Sequence, residues 1–355
     1  MTAKLIRVGA VAMGGRAPIS IQSMTNTDTR DVQATIAQIL RLEQAGCEII
    51  RISVFDGECV RAIPAIRSAV NIPLVADIHF DYRLAIGSME NGVDKIRFNP
   101  GNIGGRENIR RLVSCAKAHG VPIRIGVNSG SVEKDVLEKF GGPTPEAMVE
   151  SAMKHVRILE KEGFEDIVLS IKASNAPDTV AAYRLISRCA QYPLHIGVTE
   201  AGPGETAVIK SAVGLGALLL DGIGDTIRVS ITGDPVKEVW AAKSILQAAG
   251  ARRTGIEIIS CPTCGRTRVD LEKMVMEIEA ALPNTDVPLK IAVMGCAVNG
   301  PGEVREADMG IAFGDGMGVV FIKGEPAYSA EAEELTPRFI QDVEKLISQR
   351  QGEKY

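Results

Sequence analysis

Between about residue 19 and residue 250, short runs of aliphatic and β-branched residues alternate with longer stretches whose apolar positions recur every three or four residues. The short runs have the length and composition of buried strands, and the long ones the period of amphipathic helices. The pattern predicts strands over Ile19–Met24, Ile49–Val54, Leu74–His79, Lys95–Asn99, Ile123–Asn128, Ile167–Lys172, His195–Thr199 and Thr226–Ile231, each followed by a helix. Thr144-Pro145 has the residue types of an N-cap and first helical turn ahead of Glu146–Lys161, and Gly46, Gly163 and Gly250 fall where helices should stop. A hairpin is expected before the series, from Val8–Val11 through a Gly14-Gly15 turn to Ile19–Gln22. Eight strand–helix units in one run, with no Gly-x-Gly-x-x-Gly after the first strand, favour a closed parallel TIM (β/α)8 barrel over an open doubly wound sheet.

From about Ala251 the rhythm changes. A strand (Ile256–Ser260), a cysteine-bearing loop, a helix (Val269–Ala281), a second strand (Leu289–Met294) and another cysteine loop precede a glycine-rich hairpin around Gly314-Asp315-Gly316 and a last helix near Pro337–Gln351. This predicts a small α+β domain, with a boundary near Ala249–Thr254 that divides the chain into residues 1–252 and 253–355.

At 355 residues, 45% of them hydrophobic, the chain can fill both cores. Its net charge of -4 argues against a nucleic-acid or anionic-membrane partner, so a cluster of arginines has a local purpose. The longest apolar run, near Val213–Leu220, is too short for a membrane span. Lys4 and Arg7 interrupt the apolar start, and no signal peptide is expected. Seven cysteines, odd in number and sparse, point to a reducing, cytoplasmic setting. Cys47, Cys59, Cys115 and Cys189 lie in or beside helical patterns and are expected to serve as packing.

The other three carry the chemistry. Cys261-Pro-Thr-Cys264 puts two thiols on one tight loop, and Cys296, in Gly-Cys-Ala-Val-Asn-Gly-Pro-Gly-Glu, supplies a third from a later loop. Such sets hold zinc or iron–sulfur clusters. Structural zinc is poorly served, because no histidine follows His195 and no cysteine follows Cys296. A 4Fe-4S cluster accepts three thiolates if its fourth iron takes a weaker ligand, and Glu303 is the candidate carboxylate.

In barrels of this kind the working residues stand at the strand ends that lead into the helices. Here those ends carry Arg51, Asp77 and His79, Arg97 and Asn99, Arg124 and Asn128, Ser170 and Lys172, His195 and Glu200, and Arg228 and Ser230. Any one arginine could be structural, but five converging cations call for an anion, and a diphosphate matches both their charge and their forked geometry. Asp77 and Glu200 are candidates for proton transfer, Asp77 being almost as well explained as an arginine partner. His79 and His195 have an ordinary alternative as satisfied core histidines. Asn99–Gly105 and Asn128–Ser131 are glycine-bearing loops whose amides suit phosphate oxygens.

The eighth barrel helix runs away from the mouth, and few residues link it to the tail domain. A helix of about fifteen residues spans on the order of 20 Å, so the tail is expected to cover the mouth of a second chain in a two-fold homodimer.

Ile21-Gln-Ser-Met-Thr-Asn-Thr27, Val75-Ala-Asp-Ile-His79, Arg97-Phe-Asn-Pro-Gly-Asn102, Arg124-Ile-Gly-Val-Asn128, Cys261-Pro-Thr-Cys264 and Gly295–Glu303 resemble the bacterial 4-hydroxy-3-methylbut-2-enyl diphosphate synthase family over essentially the whole chain. The last two motifs are the most specific. The resemblance implies a 4Fe-4S cluster on Cys261, Cys264, Cys296 and Glu303. It also implies reductive dehydration and ring opening of 2-C-methyl-D-erythritol 2,4-cyclodiphosphate in isoprenoid synthesis, with flavodoxin or ferredoxin as electron donor. Arg51, Arg97, Asn99, Arg124, Asn128, Lys172, Arg228 and Ser230 would hold the diphosphate. Two rivals are a non-redox barrel enzyme of the pteroate-synthase kind with a structural metal, and a redox-sensing module without affinity for diphosphates.

Overall fold

Alternate side chains along each strand of the first domain part into two sets: Ile50, Ile52, Ile96, Ile125, Leu169 and Ile171 join one large apolar core, while Gln22, Arg51, Asp77, Lys95, Arg124 and Lys172 are buried polar or charged residues. The outward set packs beneath a ring of helices and the inward set fills a barrel. The computed structural model describes residues 3–99, 101, 105–283, 285–298, 300–314 and 316–352. The chain divides into two compact units, residues 1–252 and 253–355.

A hairpin of β1 (Ile6–Val8) and β2 (Val11–Met13) opens the first unit. The barrel strands are β3 (Ser20–Met24), β4 (Ile49–Ser53), β5 (Leu74–Asp77), β6 (Lys95–Arg97), β7 (Ile123–Asn128), β8 (Ile167–Lys172), β9 (His195–Ile196) and β10 (Thr226–Ile227). Their order is β8-β7-β6-β5-β4-β3-β10-β9, and a parallel bridge between Leu169 and Leu194 joins the two ends. Tyr183 completes that seam: its hydroxyl accepts from the Ile171 N–H at 3.1 Å and donates to the His195 carbonyl. The helices are α1 (Val32–Gln44), α2 (Gly57–Ala69), α3 (Tyr82–Glu90), α4 (Arg106–His119), α5 (Lys134–Phe140), α6 (Pro145–Lys161), α7 (Ala176–Cys189), α8 (Gly204–Leu220) and α9 (Val236–Ala248). Thr144 caps α6 by accepting from Ala147 N–H, and Gly46, Gly163 and Gly250 all have positive φ.

Two expectations change here. The hairpin turns at Gly9 (φ 55), not at Gly14-Gly15, because β1 pairs with β2 while Ile19–Gln22 leads into the first barrel strand. Its Ile6, Val8 and Met13 pack against Ile49, Val75 and Val168, so the hairpin stops the end of the barrel from which the strands begin. Among the presumed packing cysteines, Cys47 and Cys59 are buried, but Cys189 is exposed at the end of α7.

The chain leaves the barrel at that same stoppered end. Arg252 donates to the Ile19 carbonyl at 3.0 Å and to both carboxylate oxygens of Glu48, which itself accepts from the Ile21 N–H at 2.9 Å. These partners lie at the starts of β3 and β4.

In the second unit one sheet runs β11 (Ile256–Ser260), β12 (Leu289–Met294), β13 (Met309–Gly314), β14 (Met317–Ile322) and β15 (Glu325–Glu331), in that spatial order. The first three strands are parallel and the last pairings antiparallel. Helices α10 (Leu271–Ala281) and α12 (Ala332–Gly352) share a core with it, built on Ile278, Ile291, Phe313, Leu335 and Phe339. The short α11 (Gly300–Glu303) follows the second cysteine loop. The sequence pattern misses β15, and α12 starts five residues before Pro337, which falls inside the helix.

Candidate active site

Strand register sets the charged residues of the mouth side by side. Asp77 is paired with Arg97 across β5 and β6, and Arg97 with Arg124 across β6 and β7. The Asp77 carboxylate lies 3.3 Å from Arg97 Nη1 and 3.7 Å from Arg51 Nε. Burial works against its charge, but Arg51, Arg97 and Arg124 outweigh it and hold the carboxyl below its usual range. Asp77 is therefore an ionised arginine partner.

Two glycines make room for these cations. A Cβ on Gly126 would stand 3.0 Å from Arg97 Nε and 3.5 Å from Arg124 Nη1, and one on Gly197 would stand 2.8 Å from Lys172 Nζ and 2.7 Å from the Arg228 carbonyl oxygen. Gly126 also receives Asn99, whose amide donates to its carbonyl at 2.8 Å and accepts its N–H at 3.0 Å. That side chain extends the β6–β7 ladder past the end of β6, so most of its hydrogen-bonding capacity serves the fold.

Lys172 is buried, and burial, then Arg228, Arg124 and Arg51, push its ammonium well below the usual lysine range. Arg228 reaches Glu238, on the first turn of α9, at 3.4 Å. Glu238 also accepts from Ser23 Oγ at 2.9 Å and the Ile231 N–H at 3.1 Å.

Beneath this tier lie two residues outside the expected anion-binding set. Lys95 is fully buried, with Nζ 3.2 Å from Gln22 Oε1. His195 is fully buried and neither ring nitrogen has a partner, so it is not the satisfied core histidine that its strand position allowed. Six cations, Arg51, Lys95, Arg97, Arg124, Lys172 and Arg228, thus face two buried carboxylates, Asp77 and Glu238, among the described residues. Two guanidinium nitrogens of Arg124 and one of Arg228 are also buried without a partner. Lys95 was hidden as the opening residue of a strand. Glu238 was hidden within a helix, where an acid normally reads as solvated surface.

The rim is more open. Glu200 is exposed, with φ at +52, a backbone region disfavoured for a side chain of its size. Asn128 and Ser230 are half-buried and His79 is exposed, its ring 6.0 Å from that of Phe80. Within the Asn99–Gly105 loop, Pro100 and residues 102–104 lie outside the described residues. Gly101 donates its N–H to Nδ1 of the buried His155 on α6 at 3.1 Å, and His155 Nε2 lies 3.4 Å from Glu133. A separate cleft of about 580 Å³ lies at the opposite end, beside Leu194 and Asp225 and away from these groups.

In the second unit, Cys261 follows β11 and Cys296 follows β12, its parallel neighbour, so both cysteine loops leave the same sheet edge. Cys261 Sγ accepts from the Gly295 N–H at 3.4 Å, linking the loops. The backbone and side chain of Arg266 lower the Cys264 thiol below its usual range. Cys261, Cys264 and Cys296 form no disulfide. Glu303 ends α11 with its side chain exposed, and Asn299 lies outside the described residues. The described side chains are not drawn into a closed metal cage. As a donor set, three soft thiols at one sheet edge suit an iron–sulfur cluster.

The fold and the mouth define a (β/α)8 barrel with a cation-rich interior, joined to an α+β domain that presents cysteines. Family models described as the GcpE TIM-barrel domain and the GcpE protein C-terminal domain match residues 3–243 and 257–345. The chain belongs to the GcpE family, whose curated relatives carry the name 4-hydroxy-3-methylbut-2-en-1-yl diphosphate synthase (flavodoxin). The relative from Caldanaerobacter subterraneus subsp. tengcongensis is 57% identical over 344 residues, covering 97% of each chain. That from Lawsonia intracellularis is 55% identical over 345 residues, covering 97% of this chain and 96% of its own. Among solved structures, 3-dehydroquinate dehydratase from Geobacillus kaustophilus HTA426 aligns with a TM-score of 0.50 at 14% identity, over 70% of this chain and 98% of its own, a likeness of fold alone.

Proposed function

We propose that the protein opens and reductively dehydrates 2-C-methyl-D-erythritol 2,4-cyclodiphosphate to 4-hydroxy-3-methylbut-2-enyl diphosphate in isoprenoid precursor synthesis, using two electrons from flavodoxin. The observation that carries the site reading is the excess of cations over carboxylates in the barrel. A buried surplus of this kind is costly until an anion completes it. Arg51, Arg97, Arg124, Lys172 and Arg228 grip the diphosphate, with Asn128, Ser230 and the remaining N–H of Asn99 at its edges. Opening the ring adds negative charge where these donors already point, which lowers the barrier without reorganisation.

Cys261, Cys264, Cys296 and Glu303 would hold a 4Fe-4S cluster, which when bound supplies electrons singly and a Lewis-acidic iron. Asp77, kept ionised by its arginines, orients them. Glu200 is then the carboxylate at the rim that hands a proton to the departing hydroxyl.

The active unit is a homodimer in which the tail domain of one chain covers the mouth of the other. Two features of the barrel support this: Arg252, its last residue, is tied to the end opposite the mouth, and α8 exposes Ile209, Val213 and Leu220 along one face. We place the enzyme in the cytoplasm; no helix among the described residues is long and apolar enough to cross a membrane. Anaerobic iron and acid-labile sulfide analysis, combined with turnover of the cyclodiphosphate by reduced flavodoxin, tests the proposal. A protein without iron and sulfide that still turns over the substrate would refute the cofactor assignment.

A further inference from the structure

The mouth has a second tier that the diphosphate reading leaves idle. Lys95 stands at the start of β6, below Arg97, and His195 at the start of β9, below Gly197. Both are fully buried. Among the described residues no carboxylate pairs with either, and Lys95 meets the neutral Gln22 oxygen. Arg124 from β7 and Arg51 from β4 act on both, and Lys172 from β8 on His195; Gln22 from β3 meets Lys95, Tyr183 from α7 donates to the His195 carbonyl, and Thr226 of β10 pairs in register with His195 and with Ser20 of β3. Asp77 and Glu238 are already engaged by Arg51, Arg97 and Arg228. The unpartnered buried atoms concentrate here: the Gln22 amide nitrogen, the Ser20 hydroxyl, both His195 nitrogens and two Arg124 nitrogens.

We propose that Lys95 and His195 form a proton-accepting floor to the anion site, which takes up a proton as the anionic substrate enters the mouth. The inference rests on the anion-site reading above and deepens it. In the empty barrel, burial and then the neighbouring cations, Arg124 first, weaken the hold of both groups on a proton. A guanidinium surrenders its proton last, so the groups that yield are the two lysines, Lys95 and Lys172, and the histidine; Lys172 belongs to the diphosphate grip above, and the floor is the share that Lys95 and His195 contribute. An anion above them reverses the balance and restores one positive charge. The reaction uses that charge: two electrons and one proton convert a cyclic dianion into water and a terminal diphosphate of about three negative charges. A proton loaded with the substrate leaves the floor matched to the more highly charged product. Lys95 and His195 act here as positioning residues, through the field they set.

The test is calorimetric titration of the holoenzyme, anaerobic and without electron donor, with 2-C-methyl-D-erythritol 2,4-cyclodiphosphate at pH 8 in buffers of different ionisation heat. Each phosphorus of this ligand carries a single, strongly acidic oxygen, so the protons counted belong to the protein. The expected result is uptake of about one proton per site, falling by about half or more in Lys95→Arg or in His195→Gln while the ligand still binds. The arginine variant keeps a charge but cannot release it, which separates proton uptake from mere packing; if it does not fold, the wild-type count and His195→Gln still decide. Binding without proton uptake in the wild type, or an unchanged count in both variants, overturns the floor. Absence of any binding overturns the anion-site reading itself.

Discussion

Gly197→Ala probes the mouth without touching a charge. The added methyl would stand 2.8 Å from Lys172 Nζ, 3.3 Å from its Cε and 2.7 Å from the Arg228 carbonyl oxygen, and this glycine does not have a left-handed φ. The backbone can therefore accept alanine, and the cost is purely one of space. Because one neighbour is backbone, the β9–β10 junction must give, and overpacking of this kind costs about 1–3 kcal/mol. In a domain of this size that lowers Tm by roughly 2–12 °C. The ammonium, displaced from its place, loses a charge-assisted contact with the diphosphate worth about 1.5–3 kcal/mol, which weakens binding by roughly 10- to 150-fold. Differential scanning calorimetry and titration with the cyclodiphosphate read the two effects separately. Binding within about two-fold of wild type despite the full loss in Tm would show that Lys172 does not hold the ligand.

The remaining predictions concern the other working parts. Cys296→Ser should lose iron and sulfide, whereas Glu303→Ala should keep most of the cluster and lose turnover; equal iron loss in both would contradict a labile carboxylate ligand. Glu238→Ala removes the partner of Arg228, Ser23 and the Ile231 N–H together and should destabilise the barrel by about 3–5 kcal/mol, measured by chemical denaturation; a change within experimental error would remove Glu238 from the network. Lys95 and Lys172 hold their protons less tightly folded than unfolded. Below the unfolded lysine value of about 10.4 the unfolded chain therefore binds more protons, and stability rises with pH between the lowered folded values and that limit. The Tm of ligand-free protein should climb as the pH rises toward that limit, more steeply than in Lys95→Met; equal slopes would exclude Lys95 as the source.

Strand positions were legible because each barrel strand carries an unbroken outward stripe of aliphatic residues, and period alone locates such stripes. Strand ends were less so. His195–Thr199 and Thr226–Ile231 shorten to two-residue strands, and at the first of these Tyr183, from a helix, takes over the pairing. The upper cations could be read from strand ends. Lys95, Glu238 and the clearances at Gly126 and Gly197 could not, since each depends on what the closed barrel brings opposite, between residues as distant as Ser23 and Glu238. Asp77 could be read as acid or arginine partner until register set it beside Arg97.

The β1–β2 hairpin has a consequence for traffic. With Ile6, Val8 and Met13 seated on Ile49, Val75 and Val168, the far end of the barrel is sealed with hydrocarbon. Ions, water and hydrogen ions then share a single doorway with the substrate, and closing it isolates all of them at once. Electrons apart, whatever inventory of charge the vessel contains when that doorway is covered is the inventory with which the turnover must be completed.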